Sequence, residues 1–295
     1  MILRIKKHGN FLKNQLSNSG LQNNLLERVR KRKGHRPLSA DRTGGDLVIA
    51  SYNVHKCVGV DKVFSPERIV EVIRELDADI LALQETDKRF GERVGLIDSA
   101  YLTQQTGLKP VEINTMSPQG LGWHGNALFL RDGEVSDVLQ INLPGVEPRG
   151  ALIIELKLPI GPLRVIAAHL GLLKNSRKKQ ATAILKILQN RTMMPTIMLG
   201  DLNEWRLGKR SSLTTFYPYF DIAMGSVPSF PSRFPVLALD RMFAYPHDLV
   251  MAVESHKSAL SRIASDHLPI KAHIDLATAL QTIKTKSFHE DSSSS

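Results

Sequence analysis

Six stretches of the chain set polar, chemistry-bearing residues directly against short apolar runs. Asn53 follows Leu47-Val48-Ile49-Ala50-Ser51-Tyr52, Gln84-Glu85 follow Ile80-Leu81-Ala82-Leu83, and His169 follows the run 163–168. Asp201 and Asn203 come after 196–199 through Gly200, Asp240 falls inside Leu239-Asp240-Arg241-Met242-Phe243, and Asp266-His267 precede Leu268 and Ile270. Carboxylates, carboxamides and imidazoles in this mixture suit in-line hydrolysis of a phosphoester. That reaction needs a positioned water, positive charge against the phosphoryl oxygens and help for the leaving oxygen. Oxygen donors favour a hard cation, Mg²⁺ or Mn²⁺, and no thiolate cluster points to zinc. Singly, each stretch has an ordinary explanation: an Asn after a strand forms turns, and Gly-Asp-Leu-Asn reads as a turn. Asp240 is harder to dismiss, because a carboxylate inside an apolar strand costs several kcal/mol (order of magnitude) unless it is paired or bound to a cation.

Rigid elements must hold these residues, and catalytic groups gather on loops at strand ends because a sheet fixes them while the loop exposes them. The runs 47–52 and 80–83 read as buried strands. Further strands are expected at Ala127–Leu130, 152–156, 163–168, 196–199 and 239–244. Leu268, Ile270, Ala272 and Ile274 alternate with polar neighbours, as in a half-exposed strand. Ser65-Pro66 supplies a cap and a first-turn proline for a helix with Ile69, Ile73 and Leu76 on one face, and a longer helix is expected from Ser176. The pattern predicts one α/β domain over 46–280, with a basic arm at 1–45 and a polar, frayed tail over 281–295.

The segments Ser51-Tyr52-Asn53, Leu83-Gln84-Glu85, Ala168-His169-Leu170, Gly200-Asp201-Leu202-Asn203, Leu239-Asp240-Arg241 and Ser265-Asp266-His267-Leu268-Pro269 resemble, in this order, the signature blocks of the endonuclease/exonuclease/phosphatase superfamily. The likeness runs from about Leu47 to Ile274, and flanking pieces such as Glu147-Pro148-Arg149-Gly150 look like a bacterial subgroup of poorly defined substrate. The resemblance implies a four-layer α/β/β/α sandwich of two mixed sheets packed face to face, with the site at one edge. It implies Glu85 as principal metal ligand, Asn53 beside it, and Asp266 as a further ligand or a supporting group. Asp201 would orient or deprotonate the attacking water, and Asn203 would hold the phosphate. His267, oriented by Asp240, would stabilise charge on phosphorus, and His169 would donate to a phosphate oxygen or assist the leaving group. Lys56 and Arg149 are weaker candidates for phosphate contacts, and Asn126 is placed like a site asparagine. Trp123 and Trp205 line a cleft or cover the core, with nothing to choose between the two.

Composition then limits the substrate. The net charge of +10 sits mostly in the arm: eleven Lys/Arg against three acids give +8 within 1–46, leaving +2 for the other 249 residues. The body is close to neutral and its aromatic content is 6%, which argues against an extended nucleic-acid groove. A lipid head group or small organic phosphate is therefore favoured over DNA or RNA. The arm itself fits an anionic membrane surface or nucleic acid. A catalytically inactive binding scaffold is the rival of another class, yet none of the matched polar positions is lost. One cysteine, Cys57, excludes an internal disulfide framework and fits a reducing, cytoplasmic location, peripheral to a membrane at most.

Overall fold

The structure, a computed structural model, describes residues 47–88, 91–115, 117–220 and 226–293. The arm at 1–45 lies outside the described residues. Among the described residues, eleven strands form two mixed sheets. In the first, β10 (Val250–Ser255), β11 (Ile270–Ile274), β1 (Leu47–Asn53), β2 (Ile80–Gln84), β4 (Ala127–Leu130) and β3 (Lys109–Pro110) lie in that order. The second runs β5 (Glu134–Leu143), β6 (Arg149–Leu158), β7 (Gly161–Ala168), β8 (Thr196–Asp201) and β9 (Asp240–Tyr245). Among the described strands, β1/β2 and β7/β8 pair in parallel and the other neighbours antiparallel.

Strand alternation decides the layering. Ile49, Ile80, Ala82 and Leu128 point inward and pack against Leu152, Ile154, Val165, Ile197 and Met242 of the facing sheet. Val48, Ala50, Leu81 and Leu83 point outward onto α1 (Pro66–Leu76), through Ile69, Val72, Ile73 and Leu76. On the far side, Ile153, Ile166, Met198 and Phe243 pack on α3 (Lys174–Leu188) through Ala181, Ile184 and Leu188. The result is the expected helix, sheet, sheet, helix sandwich, in which both faces of each central strand are buried.

The helix starts show where local chemistry suffices. Ser65 accepts from the Arg68 amide, Pro66 opens α1, and Asp77 closes it in a left-handed conformation at φ 45. The long helix starts at Lys174, two residues before the expected Ser176, which is buried inside the first turn and caps nothing. A short helix, α2 (Ser99–Thr106), buries only Leu102, and α4 (Ser261–Ala264) is a single turn. The last helix, α5 (Leu276–Ser293), continues through the segment expected to be a polar tail, anchored at its start by buried Leu276 and Ala279.

Candidate active site

The parallel strands β1, β2, β7 and β8 end at one edge of the sandwich, and the antiparallel β9 and β11 begin there. Topology therefore gathers Asn53, Glu85, His169, Asp201, Asp240 and His267 at a single edge. Gly200 makes the approach possible. At φ 145 its backbone lies so near β7 that a Cβ would stand 1.8 Å from the Ala168 carbonyl oxygen, so only glycine fits before Asp201.

The two sheets meet at Asn53, whose Nδ2 donates to Asp201 Oδ2 at 2.9 Å. Asp201 Oδ1 accepts from the Asn203 amide at 3.0 Å, and the Asn203 carboxamide donates to the Leu170 carbonyl at 2.9 Å. His267 Nε2 lies 3.8 Å and His169 Nε2 3.4 Å from Asp201 Oδ2. On its other side, His267 donates from Nδ1 to Asp240 Oδ2 at 2.8 Å, and the Ser229 hydroxyl donates to the same oxygen at 2.5 Å. The imidazole thus lies between two buried carboxylates, with the Phe230 ring 5.0 Å away.

Electrostatics follow from that placement. Burial opposes charge on His267, but Asp240 and Asp201 outweigh it and push the ring up to about 10, so it is an imidazolium at neutral pH. Burial likewise opposes charge on Asp201, yet the His267 charge and the His169 contact hold its carboxyl well below the usual carboxylate range. Asp240 Oδ1 has no hydrogen-bond partner, which leaves one buried carboxylate oxygen unmatched beside the imidazolium.

Glu85 and Asp266 flank Asn53. Glu85 follows Gln84, the register partner of Asn53, and the Ser265 hydroxyl donates to the Asn53 carbonyl at 2.7 Å. Asn53 Oδ1 accepts from the His55 amide at 3.0 Å. Lys56 Nζ sits 2.5 Å from Glu85 Oε2, so a cationic side chain stands against this carboxylate. The backbone here is costly: His55, Lys56 and Cys57 have φ of 47, 54 and 59 in succession, Glu85 has 59 and Asn203 has 51. Non-glycine residues in this region store on the order of 1 kcal/mol or more each, and such strain collects where a site dictates geometry.

Arg149 is buried, with its Nη2 2.7 Å from Glu147 Oε2 and its Nη1 2.8 Å from His169 Nε2. The same Nε2 lies 3.4 Å from Asp201 Oδ2, so one ring nitrogen faces a guanidinium and a carboxylate, and the ring's proton position decides which of them it hydrogen-bonds. Asn126 is buried and donates to the carbonyls of Trp123 and Gly150, both at 3.1 Å, clasping β4 to β6. Trp123 packs on the inner core and donates to the Ile141 carbonyl, whereas Trp205 is about half exposed with the Arg206 guanidinium 4.8 Å from its ring centroid. Three supports were given no role from the sequence, although Ser265 stands in a matched block. Ser229 holds Asp240, Ser265 ties the Asp266 loop to β1, and buried Glu204 accepts from Arg177 of α3 at 3.1 Å and from Ser212 at 2.7 Å.

Two groupings could receive a cation. Asp201, Asp240 and His267 bring ligand atoms within 4.8 Å of one another. In that set the His267 Nδ1 faces Asp240 at 2.8 Å, so a cation bound through the ring would have to displace its proton. Asn53, Glu85 and Asp266 offer only oxygen donors, and the Lys56 ammonium against Glu85 marks a place that already attracts positive charge. Oxygen donors of this kind are those a hard divalent ion takes.

Comparison with known proteins agrees with this architecture. The sequence matches the endonuclease/exonuclease/phosphatase family over residues 50–267. A comparison with the curated proteins gives no match. Among solved structures, a family protein from Bacteroides thetaiotaomicron superposes with a TM-score of 0.60 at 17% identity, covering 77% of this chain and 96% of that one. A mannosyl-6-phosphatase from the same organism gives 0.58 at 19% identity, over 77% and 98%. D. rerio TDP2 complexed with single strand DNA product gives 0.57 at 18% identity, over 77% and 97%. At these identities the superpositions show a shared fold. With the family match across most of the chain and six signature blocks meeting at one sheet edge, this protein belongs to the endonuclease/exonuclease/phosphatase family.

Proposed function

We propose that the protein hydrolyses a phosphoester by attack of water, with Glu85, Asn53 and Asp266 holding Mg²⁺ or Mn²⁺. The observation that carries this reading is the buried line Asp240–His267–Asp201, reaching Asn53 within one hydrogen bond. When bound, the cation supplies charge neutralisation against the phosphoryl oxygens. The chain's own groups supply the rest. Asp201, held strongly acidic, is a weak base, so its work is to accept a hydrogen bond from water and aim it. The His267 imidazolium, fixed by Asp240, faces the charge that grows on the phosphoryl group. Asn203, whose backbone N–H meets Asp201 and whose Nδ2 meets the Leu170 carbonyl, has one further Nδ2 hydrogen to offer a phosphate oxygen. Arg149 brings a second positive charge beside His169, and Lys56 another beside Glu85.

The substrate we favour is a lipid head group or small organic phosphate. Family members are hydrolases of phosphoester bonds, and the structural neighbours include both a phosphatase and a protein bound to DNA product. A nuclease is thus the competing outcome. Buried Cys57, its thiol pushed up to about 12 by burial, fits a reducing, cytoplasmic setting within the same proposal. No described helix is long and apolar enough to cross a membrane. The test is Mg²⁺-dependent turnover across aryl phosphates, phosphoinositides, sphingomyelin, supercoiled DNA and RNA. Glu85→Gln should lose at least ~100-fold in every active case while keeping its melting temperature. Wild-type turnover by that variant at limiting Mg²⁺ would place the cation elsewhere.

A further inference from the structure

Four loops leave the site edge, and each carries exposed apolar side chains next to exposed or half-exposed cations. They are Lys62-Val63-Phe64, Leu172-Leu173-Lys174, Trp205-Arg206-Leu207-Gly208-Lys209-Arg210 and Arg233-Phe234-Pro235-Val236. Leu172 is 63% exposed and Phe234 80%, although large apolar side chains normally seek cover. The four segments contain six Lys/Arg and no Asp or Glu.

Each loop is tied to a residue of the site. Lys62-Val63-Phe64 closes the strained turn that carries Lys56, through the Ser65 amide on the Cys57 carbonyl. Leu172 follows His169 by three residues, and its amide donates to Glu147, the partner of Arg149. Trp205 follows Asn203 by two. The segment from Arg233 hangs from the Ser232 amide on the Asp266 carbonyl, three residues beyond the Phe230 ring that meets His267. The loops are also tied in pairs. Arg177 donates to the Leu172 carbonyl and to Glu204, joining the second loop to the third. Arg262 donates to the Arg233 carbonyl while the Val60 amide donates to the Ile263 carbonyl, joining the fourth to the first.

We propose that these four loops form a rim that seats the site on an anionic lipid surface, making the substrate a phosphoester displayed at that surface. The proposal deepens the hydrolase reading and rests on it only for the substrate class. Apolar side chains interleaved with cations fit the boundary between head groups and acyl chains, where one part enters the apolar layer and the other meets phosphate. Nucleic acid would use the cations but not most of the apolar groups. Five of the eight are Val or Leu, which offer no ring for a base to stack on.

The experiment uses the full chain, so that residues 1–45 are the same in every sample. Phe64→Ser, Leu173→Ser, Leu207→Ser and Phe234→Ser are combined, and none of these side chains belongs to the proposed catalytic set. Partition is measured on vesicles of phosphatidylcholine alone and mixed with phosphatidylglycerol, with single-stranded and duplex DNA as controls, at two salt concentrations. The combined variant should lose at least ~10-fold in partition onto anionic vesicles at both salts and keep turnover of a soluble aryl phosphate within about two-fold. Lys209→Gln with Arg210→Gln, both exposed, should lower the preference for anionic over neutral vesicles relative to wild type. Equal partition by wild type and both variants overturns the proposal. So does loss of DNA binding in the variants with vesicle binding unchanged. Rim-dependent partition without any phosphoester turnover by the wild-type protein supports the surface and sinks the hydrolase reading.

Discussion

Replacing Asp240 by Asn should uncouple His267 from its charge. The ring is lifted from an ordinary 6.5 to about 10. At roughly 1.4 kcal/mol for each tenfold change in proton affinity, this is about 5 kcal/mol in favour of the charged form. Two carboxylates share that effect, but Asp240 is the nearer, at 2.8 Å against 3.8 Å for Asp201. Assigning it half removes roughly 2–3 kcal/mol of preference for the charged form. The rate should then fall about 30- to 150-fold below wild type only at alkaline pH, where the variant's ring has lost its proton, and much less at neutral pH. The sign is fixed by the direction of the shift: a raised histidine keeps its charge below its folded value. Wild-type activity should therefore hold until pH nears 10, whereas in Asp240→Asn the alkaline loss should move down toward the ordinary histidine range. The corresponding stability contribution is fully present below 6.5 and lost as pH rises toward 10. The assay is kcat/KM against pH on a soluble phosphoester for wild type, Asp240→Asn, His267→Ala and the double variant, with circular dichroism to confirm folding. Groups acting as a unit are not additive, so the double variant should be within about three-fold of His267→Ala. Losses that multiply, or an alkaline limb that does not move, refute the coupling.

Glu204 is held down at about 2: burial opposes its charge, but donors from Ser212, Arg206 and Arg177 outweigh it. Its contribution to stability should be present above 4.5 and lost as pH falls toward 2. Glu204→Gln should remove about 3 kcal/mol at pH 7, some 6–12 °C in melting temperature, and flatten the acid limb of a melt series. Residues 1–45 should be dispensable for turnover of a soluble phosphoester; loss of activity in 46–295 would show that the domain begins earlier. Lys56 and a cation both seek Glu85, and because the ammonium is 39% exposed the pair is worth at most about 1 kcal/mol. Calorimetric titration of Lys56→Met should thus show Mn²⁺ binding tightened by up to ~5-fold, and weakened binding would make Lys56 a support of the cation site.

The central strands were legible because each is a short apolar run against a turn signal, and buried strands of this kind tolerate little else. β5 and β10 were not, and both are sheet-edge strands with an interrupted register. The ladder shifts between Val135 and Asp137 in one and between Val250 and Ala252 in the other. A bulge breaks the two-residue period on which the reading depends, and edge strands lack the second apolar face that would betray them. The same logic explains α2, with one buried residue, and the end of α5, whose polar sequence resembles a tail.

For the site, the sequence announced which residues interrupt the sheet and was silent on what holds them. Asp240 stood out because a carboxylate in an apolar strand demands a partner, and the fold supplies two from distant loops, His267 and Ser229. No spacing rule joins Ser229 to Asp240 or Arg177 to Glu204, since these contacts exist only once the helices and loops have packed. The left-handed turn at His55-Lys56-Cys57 was equally hidden, because neither Lys nor Cys favours positive φ and a single His is a weak signal. Their strain is nonetheless informative. A chain free to choose would place glycine there, yet glycine at position 56 would relax the turn and remove the ammonium that meets Glu85. Backbone energy thus goes into holding a lysine against Glu85. Three successive residues in a region they do not favour mark a turn whose shape is set by its surroundings, the Lys56–Glu85 contact among them, and not by local preference.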